Sequence, residues 1–171
     1  MNTLKIVKMF DDVKTPVKTN PTDSGYDVFA YSVKRLYQNH GSNFERMLEG
    51  ELLKKFVQYG EIDLASQDRV LIGTGIKATV GEGYEIQVRA RSGLALKQGL
   101  SLVNGIGTLD EAYRDEVGVI LINLSRATQK IKLGERIAQL VVCPILLTEI
   151  EIVQELPLNN RGGGFGSSGV K

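Results

Sequence analysis

The stretch most able to do chemistry runs from Asn104 to Asn123 and reads NGIGTLDEAYRDEVGVILIN. A glycine-broken loop offers one carboxylate, Asp110, and one aromatic, Tyr113, and then enters an apolar strand from Val117 to Ile122. Rigid strands that carry a loop of reactive groups are a common way to build an active site, so Asp110 reads as a general base. The rest of the composition narrows the chemistry. The chain holds one histidine and one cysteine, His40 and Cys143, in quite different settings. Multi-His and Cys/His zinc sites are therefore excluded within one chain, and a Cys–His dyad is disfavoured. His40 lies in the polar, loop-like YQNHGSN, and Cys143 in the apolar run LVVCPIL, where it reads as a core residue. Acid–base work falls to carboxylates, and any metal would be a hard ion such as Mg²⁺, delivered with a phosphate-bearing substrate.

Three further segments carry candidate groups. In DSGYDVFA, Asp23 to Ala30, two carboxylates four apart flank a glycine. They form either a turn cap or a site in which Asp27 helps hold a hydrated cation. In ARSGLALKQG, Ala90 to Gly99, Arg91, Ser92 and Gly93 place a guanidinium, a hydroxyl and bare backbone together, a combination suited to phosphate. The plainer reading is a helix start with Ser92 as N-cap, and the two are compatible because helix N-termini favour anions. The segment RGGGFGSSGVK contains a literal GxGxxG, but no strand precedes it suitably and no helix can follow, so a dinucleotide site is rejected. Arg161 and Phe165 there suit a phosphate and a planar base, leaving a polar tail and a closing lid both open.

These groups need a scaffold. At 171 residues, 42% hydrophobic and with net charge +1, the chain reads as one domain with a real core and no global nucleic-acid or membrane signal. The start, MNTLKIVKMFDD, turns acidic too early for a secretory signal, and no apolar run approaches the ~18 residues of a membrane span. A cytoplasmic protein is expected. Strand candidates are Leu4–Val7, Tyr26–Ala30, Ile62–Leu64, Arg69–Ile72, Gly75–Val80, a run through Tyr84, Ile86 and Val88, Leu100–Val103, Val117–Asn123, Gln129–Lys132, Ile137–Pro144 and Ile150–Val153. Their spacing of about 8–12 residues argues for an all-β sandwich or barrel. Residues 32–60 differ in texture. Ser42 and Glu45 fit a capping box, Phe44, Met47, Leu48, Leu52 and Phe56 share a helical face, and Gly60 fits a stop. A helical insertion is expected there, either packed on the domain body or offering a face to a protein partner.

Taken in order, DSGYD, RSGLA, NGIGTLDEAYRDEVGVILIN, GERIAQLV and RGGGFGSSG resemble the five motifs of the trimeric dUTPase family, over nearly all the chain except about 31–59. The resemblance implies a jelly-roll-like β-barrel of the β-clip type in residues 1–160, and a homotrimer with shared active sites. Residues 161–171 would be a flexible tail that closes over a neighbouring site. It implies hydrolysis of dUTP to dUMP and pyrophosphate with Mg²⁺, limiting uracil in DNA and supplying dUMP for dTMP synthesis. By resemblance, Asp110 deprotonates a water that attacks the α-phosphorus, and Tyr113 packs on the sugar and excludes a 2′-hydroxyl. Asn104, Gly107, Thr108 and Leu109 would read the uracil edge. Arg91, Ser92, Gly93 and Gln139 would contact the phosphates, and Asp27 would hold the metal through water. Arg161 would reach the terminal phosphate, with Phe165 and Gly166 closing over the base.

Two departures stand out. Asp115 replaces the glycine usual after Tyr-Arg, which matters if the turn needs positive φ. The insertion at 32–60 has no assignment by resemblance. The nearest competing enzyme is a dCTP deaminase, a relative sharing fold and trimer, against which stand LDEAY and GFGSS. A binding protein that uses the insertion is the competing class.

Overall fold

The computed structural model describes residues 3–39, 45–50, 53 and 57–158. It is built almost wholly of strands, β1 (Lys5–Lys8), β2 (Gly25–Phe29), β3 (Ser32–Asn39), β4 (Glu45–Leu48), β5 (Val57–Gln58), β6 (Glu61–Leu64), β7 (Arg69–Gly73), β8 (Ile76–Thr79) and β9 (Tyr84–Ala90). One short helix, Ser92–Gln98, follows β9, and then come β10 (Leu100–Leu102), β11 (Gly107–Leu109), β12 (Gly118–Asn123), β13 (Gln129–Lys132) and β14 (Arg136–Pro144). Among the described residues the strands pair antiparallel in four sheets, ordered β10-β12-β7-β3-β4, β11-β9-β14-β2, β13-β6-β5 and β1-β8. The all-β expectation holds.

Period-two patterning explains why the sheets close on one another. In β9, Ile86 and Val88 point inward while Glu85, Gln87 and Arg89 alternate with them. In β12, Val119 and Leu121 are buried and Ile120 faces out. These residues join Leu36, Ile72, Val28, Ala138 and Leu140 in one core fed by both large sheets. Ile62, Leu64 and Ile131 of the three-stranded sheet belong to the same core.

The expected helical insertion is corrected. Residues 32–39 and 45–48 are the strands β3 and β4, and only Gly50 and Leu53 among the described residues of the segment fall in a helical turn. Leu36 and Leu48 face each other across β3 and β4 and both are fully buried, whereas the neighbouring Met47 is 47% exposed. Long-range pairing of β3 with β7 therefore overrides a local helical pattern. Of the residues given to the helical face and its cap, Ser42, Phe44, Leu52 and Phe56 lie outside the described residues, as does His40. Gly60 is no helix stop. Tyr59 and Gly60, with φ of 53° and 75°, are the two-residue turn joining β5 to β6, the positive-φ pair that a tight hairpin prefers.

Two smaller expectations also change. Ile150–Val153 is not a strand; Ile150 and Ile152 stand 94% and 95% exposed with no ladder in the described chain. The helix Ser92–Gln98 is capped by Arg91, whose side chain makes no cap bond, so Ser92 is the first helical residue and not its N-cap. Gly99 ends the helix at φ 67°, as a left-handed C-terminal glycine does.

Candidate functional site

The sequence-selected residues gather into two half-sites. The first is cationic. Antiparallel register sets Asp27 of β2 beside Gln139 of β14, and Gln139 beside Arg89 of β9, so the segment just past Ala90 arrives at the same place. Gly25 makes this approach possible, because a Cβ there would sit 3.1 Å from Gln139 Cβ and 3.3 Å from its Oε1. Arg91 donates to Asp27 from Nε at 3.0 Å and from Nη2 at 3.4 Å. Arg136 donates from Nη1 at 3.1 Å, and Gln139 from Nε2 at 3.2 Å. Arg91 Nη1 also donates to the carbonyl of Arg136 at 3.0 Å. A carboxylate 6% exposed would be costly to ionise alone, and the two guanidiniums are what make its burial tolerable. Ser92 and Gly93 lie exposed beside this cluster, and nothing stands within 4 Å of a Cβ built on Gly93.

The second half-site is the Asp110 loop. Asn104 and Gly105 turn between β10 and β11, and Gly107 packs so closely on Val88 that a Cβ would lie 3.1 Å from Val88 Cβ and 3.3 Å from Asn104 Nδ2. Thr108 is exposed on β11, and Leu109 is buried. Asp110 and Tyr113 belong to one turn, closed by Tyr113 N–H donating to the Asp110 carbonyl at 3.0 Å. The Asp110 side chain is exposed, with no hydrogen-bond partner among the described residues. Arg114 pins the turn from outside, donating to the carbonyls of Glu111 and Tyr113 and to Thr79 Oγ1. Tyr113 is half-buried against the core, and its hydroxyl donates to the Glu116 carbonyl at 2.8 Å. Burial above all, then the charges of Asp115 and Glu116, raises its phenol above the ordinary value, so it stays a neutral donor. Asp115 brings no strain here, since the non-glycine residues with positive φ among those described are Tyr59 and Gln67.

One chain does not bring the halves together. β11 pairs with β9 so that Leu109 faces Ile86, which leaves Asp110 beside the start of β9 while Arg91 follows its end. At ~3.4 Å per residue, the length of β9 separates the two by roughly 20 Å. Arg161, Phe165 and Gly166 lie outside the described residues. Sequence reasoning missed Arg136, although it stands inside the quoted GERIAQLV, and it missed Glu116 and Lys34, whose pairing ties β3 to the segment just before β12.

A resident cation does not fit these residues. The Asp27 oxygens, expected to hold a hydrated metal, already accept from Arg91, Arg136 and Gln139. Among the described residues no group of three or more His, Cys, Asp or Glu could hold an ion.

Comparison with known proteins agrees on one family. A family model described as dUTPase matches residues 59–169. The deoxyuridine 5'-triphosphate nucleotidohydrolase of Clostridium acetobutylicum is 37% identical over 172 residues, covering 100% of this chain and 99% of that relative. The enzyme of the same name from Desulfotalea psychrophila is 56% identical over 104 residues, 60% of this chain and 69% of its own. Among solved structures, a mutant of the Staphylococcus bacteriophage 80alpha dUTPase with dUpNHpp matches with TM-score 0.75 at 25% identity, covering 99% of this chain and 100% of that one. The dUTPase of phage phi11 of S. aureus, described with a species-specific insert, shares the fold at 21% identity with TM-score 0.68, over 91% and 98%.

Proposed function

This chain belongs to the dUTPase family, and from that premise we propose that it hydrolyses dUTP to dUMP and pyrophosphate, limiting uracil in DNA and supplying dUMP for dTMP synthesis. The observation that carries the reading is the pair of half-sites: an exposed carboxylate turned with a phenol, and two guanidiniums gathered on a buried aspartate. Asp110 takes a proton from water as the water oxygen bonds to the α-phosphorus. The bond from that phosphorus to the bridging oxygen breaks, and pyrophosphate leaves with the electron pair. Arg91, with Ser92, Gly93 and Gln139, holds the phosphates in line and offsets the growing charge. Mg²⁺ enters as part of the substrate, carried on the triphosphate oxygens. Tyr113 packs on the deoxyribose, and Asn104 with Gly107–Leu109 reads the uracil edge. Arg161, Phe165 and Gly166 close over the nucleotide and exclude water.

A homotrimer with shared sites is the second part of the proposal. The roughly 20 Å between Asp110 and Arg91 exceeds what the α-phosphate and its neighbours can bridge, so Asp110 of one subunit serves the cations of another. The exposed Leu146, Leu147, Ile150 and Ile152 also call for cover that the described residues of one chain do not supply. Purified protein with Mg²⁺ is expected to release pyrophosphate from dUTP, and far less from UTP or dTTP; release of ammonia from dCTP instead would favour the deaminase reading. Mixing Asp110→Asn with Arg91→Ala chains and allowing subunits to exchange should restore about one quarter of wild-type turnover, because symmetric mixing rebuilds some intact sites. No recovery would place both residues of a site in one chain and refute the sharing.

A further inference from the structure

The strand that opens residues 32–60 reaches the loop bearing Asp110 and Tyr113. Lys34 Nζ of β3 lies 2.8 Å from Glu116 Oε2. The other oxygen of Glu116 accepts the Gly75 N–H at 2.8 Å, and its side chain is only 15% exposed. The Glu116 backbone carbonyl accepts the Tyr113 hydroxyl, also at 2.8 Å. The next residue is clamped too: the Val117 carbonyl accepts the Thr74 N–H at 3.2 Å and hydroxyl at 2.7 Å, and Val117 N–H donates to Ile76 at 2.8 Å. Room for the ion pair is made by Gly73, where a Cβ would overlap both Glu116 Oε1 and Lys34 Cε. The turn between β7 and β8 and the first strand of the insertion thus fix one residue, and the phenol hangs from that residue.

We propose that Glu116, held by Lys34, is a positioning residue that fixes Tyr113 and so sets the preference for a 2′-deoxy sugar. The inference rests on the dUTP reading above, in which Tyr113 meets the sugar. An apolar surface rejects an added hydroxyl only weakly, by ~100-fold, unless the wall cannot recede. A ring packed on the core and tethered at its hydroxyl is such a wall. The insertion would then serve specificity from within the fold, through Lys34.

Two variants test this with separable readouts. Lys34→Met removes the cation and keeps much of the stem; Glu116→Gln keeps an acceptor for Gly75 and loses the charge. Each is expected to lower the dUTP-over-UTP ratio of kcat/KM by about tenfold, mostly through a higher KM for dUTP and faster UTP turnover, and Lys34→Arg to restore it. In ¹³C-tyrosine-labelled protein the Tyr113 ring signal, identified by its loss in Tyr113→Phe, should shift in both variants while the other tyrosines hold. The melting midpoint of Lys34→Met should fall modestly, because the lysine is 42% exposed while the carboxylate it leaves is only 15% exposed and keeps the Gly75 N–H. An unchanged selectivity ratio in active variants, or an unmoved Tyr113 signal, overturns the inference. If the wild type fails to hydrolyse dUTP, the functional reading falls first, and the Tyr113 signal still decides the tether.

Discussion

Asp27→Asn separates two roles for the buried carboxylate, a counter-ion for arginines and a holder of metal. Asparagine keeps the size and one acceptor but leaves Arg91 and Arg136 without their shared charge. Removing one partner of a fully buried pair costs roughly 3–5 kcal/mol. Here the side chains of Arg91 and Arg136 are 26% and 43% exposed, so both regain hydration when the partner goes. A loss of about 1–3 kcal/mol is therefore expected. For a chain of this length that is a fall of roughly 2–12 °C in melting midpoint. The functional loss follows from Arg91 leaving its place. A charged hydrogen bond contributes about 1.5–3 kcal/mol, so kcat/KM for dUTP should fall roughly 10- to 150-fold. Pyrophosphate release measured across a Mg²⁺ series is the deciding assay. If Asp27 works through the arginines, the Mg²⁺ concentration giving half-maximal rate stays where it is in the wild type. A shift to higher Mg²⁺, with kcat/KM recovered at saturation, would refute the counter-ion argument and return Asp27 to the metal. A wild-type midpoint together with wild-type kcat/KM would refute both roles.

The other predictions are simpler. Asp110→Asn should lower kcat by about 100- to 10,000-fold while dUTP binding and melting midpoint persist, as calorimetry and thermal unfolding would show, because the side chain is exposed and structurally unengaged. Leu36→Ala should cost about 2–5 kcal/mol in denaturant unfolding, since Leu36 is fully buried opposite Leu48; a change near zero would mean that β3 is not part of the core. Tyr113 should ionise above the ordinary phenol value in an alkaline ultraviolet titration, read as the difference from Tyr113→Phe. Its raised folded-state value gives a stability contribution fully present below the unfolded pKa of about 10 and lost as pH rises through the folded one, so stability should not vary with pH on its account near neutrality.

Much of the barrel was legible because burial alternates along its strands. Gln129–Lys132 coincides with β13, and the Tyr84, Ile86 and Val88 alternation falls within β9. Within residues 32–60, strands take the place of the expected helix over 32–39 and 45–48 for a physical reason. Leu48, Leu52 and Phe56 fit a helical face, yet Leu36 and Leu48 also fit opposing strands, and only pairing with a distant β7 decides between them. Ile150–Val153 failed in the opposite direction, because alternation invites a strand but a strand needs an edge to join. At the site, residue types announced the reactive groups, while their partnerships stayed hidden. Nothing in the spacing of Asp27, Arg91 and Arg136 shows that one carboxylate holds both guanidiniums, since those bonds span 64 and 109 residues.

The same geometry changes how a partner-binding role for residues 32–60 should be tested. Excising the segment would remove β3, which joins β7 to β4, and with it Leu36 from the core and Lys34 from Glu116. Lost activity or lost capture after such a deletion would report a broken sheet as readily as a missing partner. Substitution at the exposed rim avoids this. Tyr59, fully exposed at the tip of the β5–β6 hairpin, and Met47, 47% exposed on β4, can be changed without opening the sheet. Tyr59 also holds positive φ, so Tyr59→Asn removes the aromatic face while easing the backbone. A partner that uses the β5–β6 hairpin should be lost in Tyr59→Asn with dUTP selectivity intact, whereas Lys34→Met should do the reverse. That crossing of effects is what separates an interaction surface on the segment from the tether that runs through it.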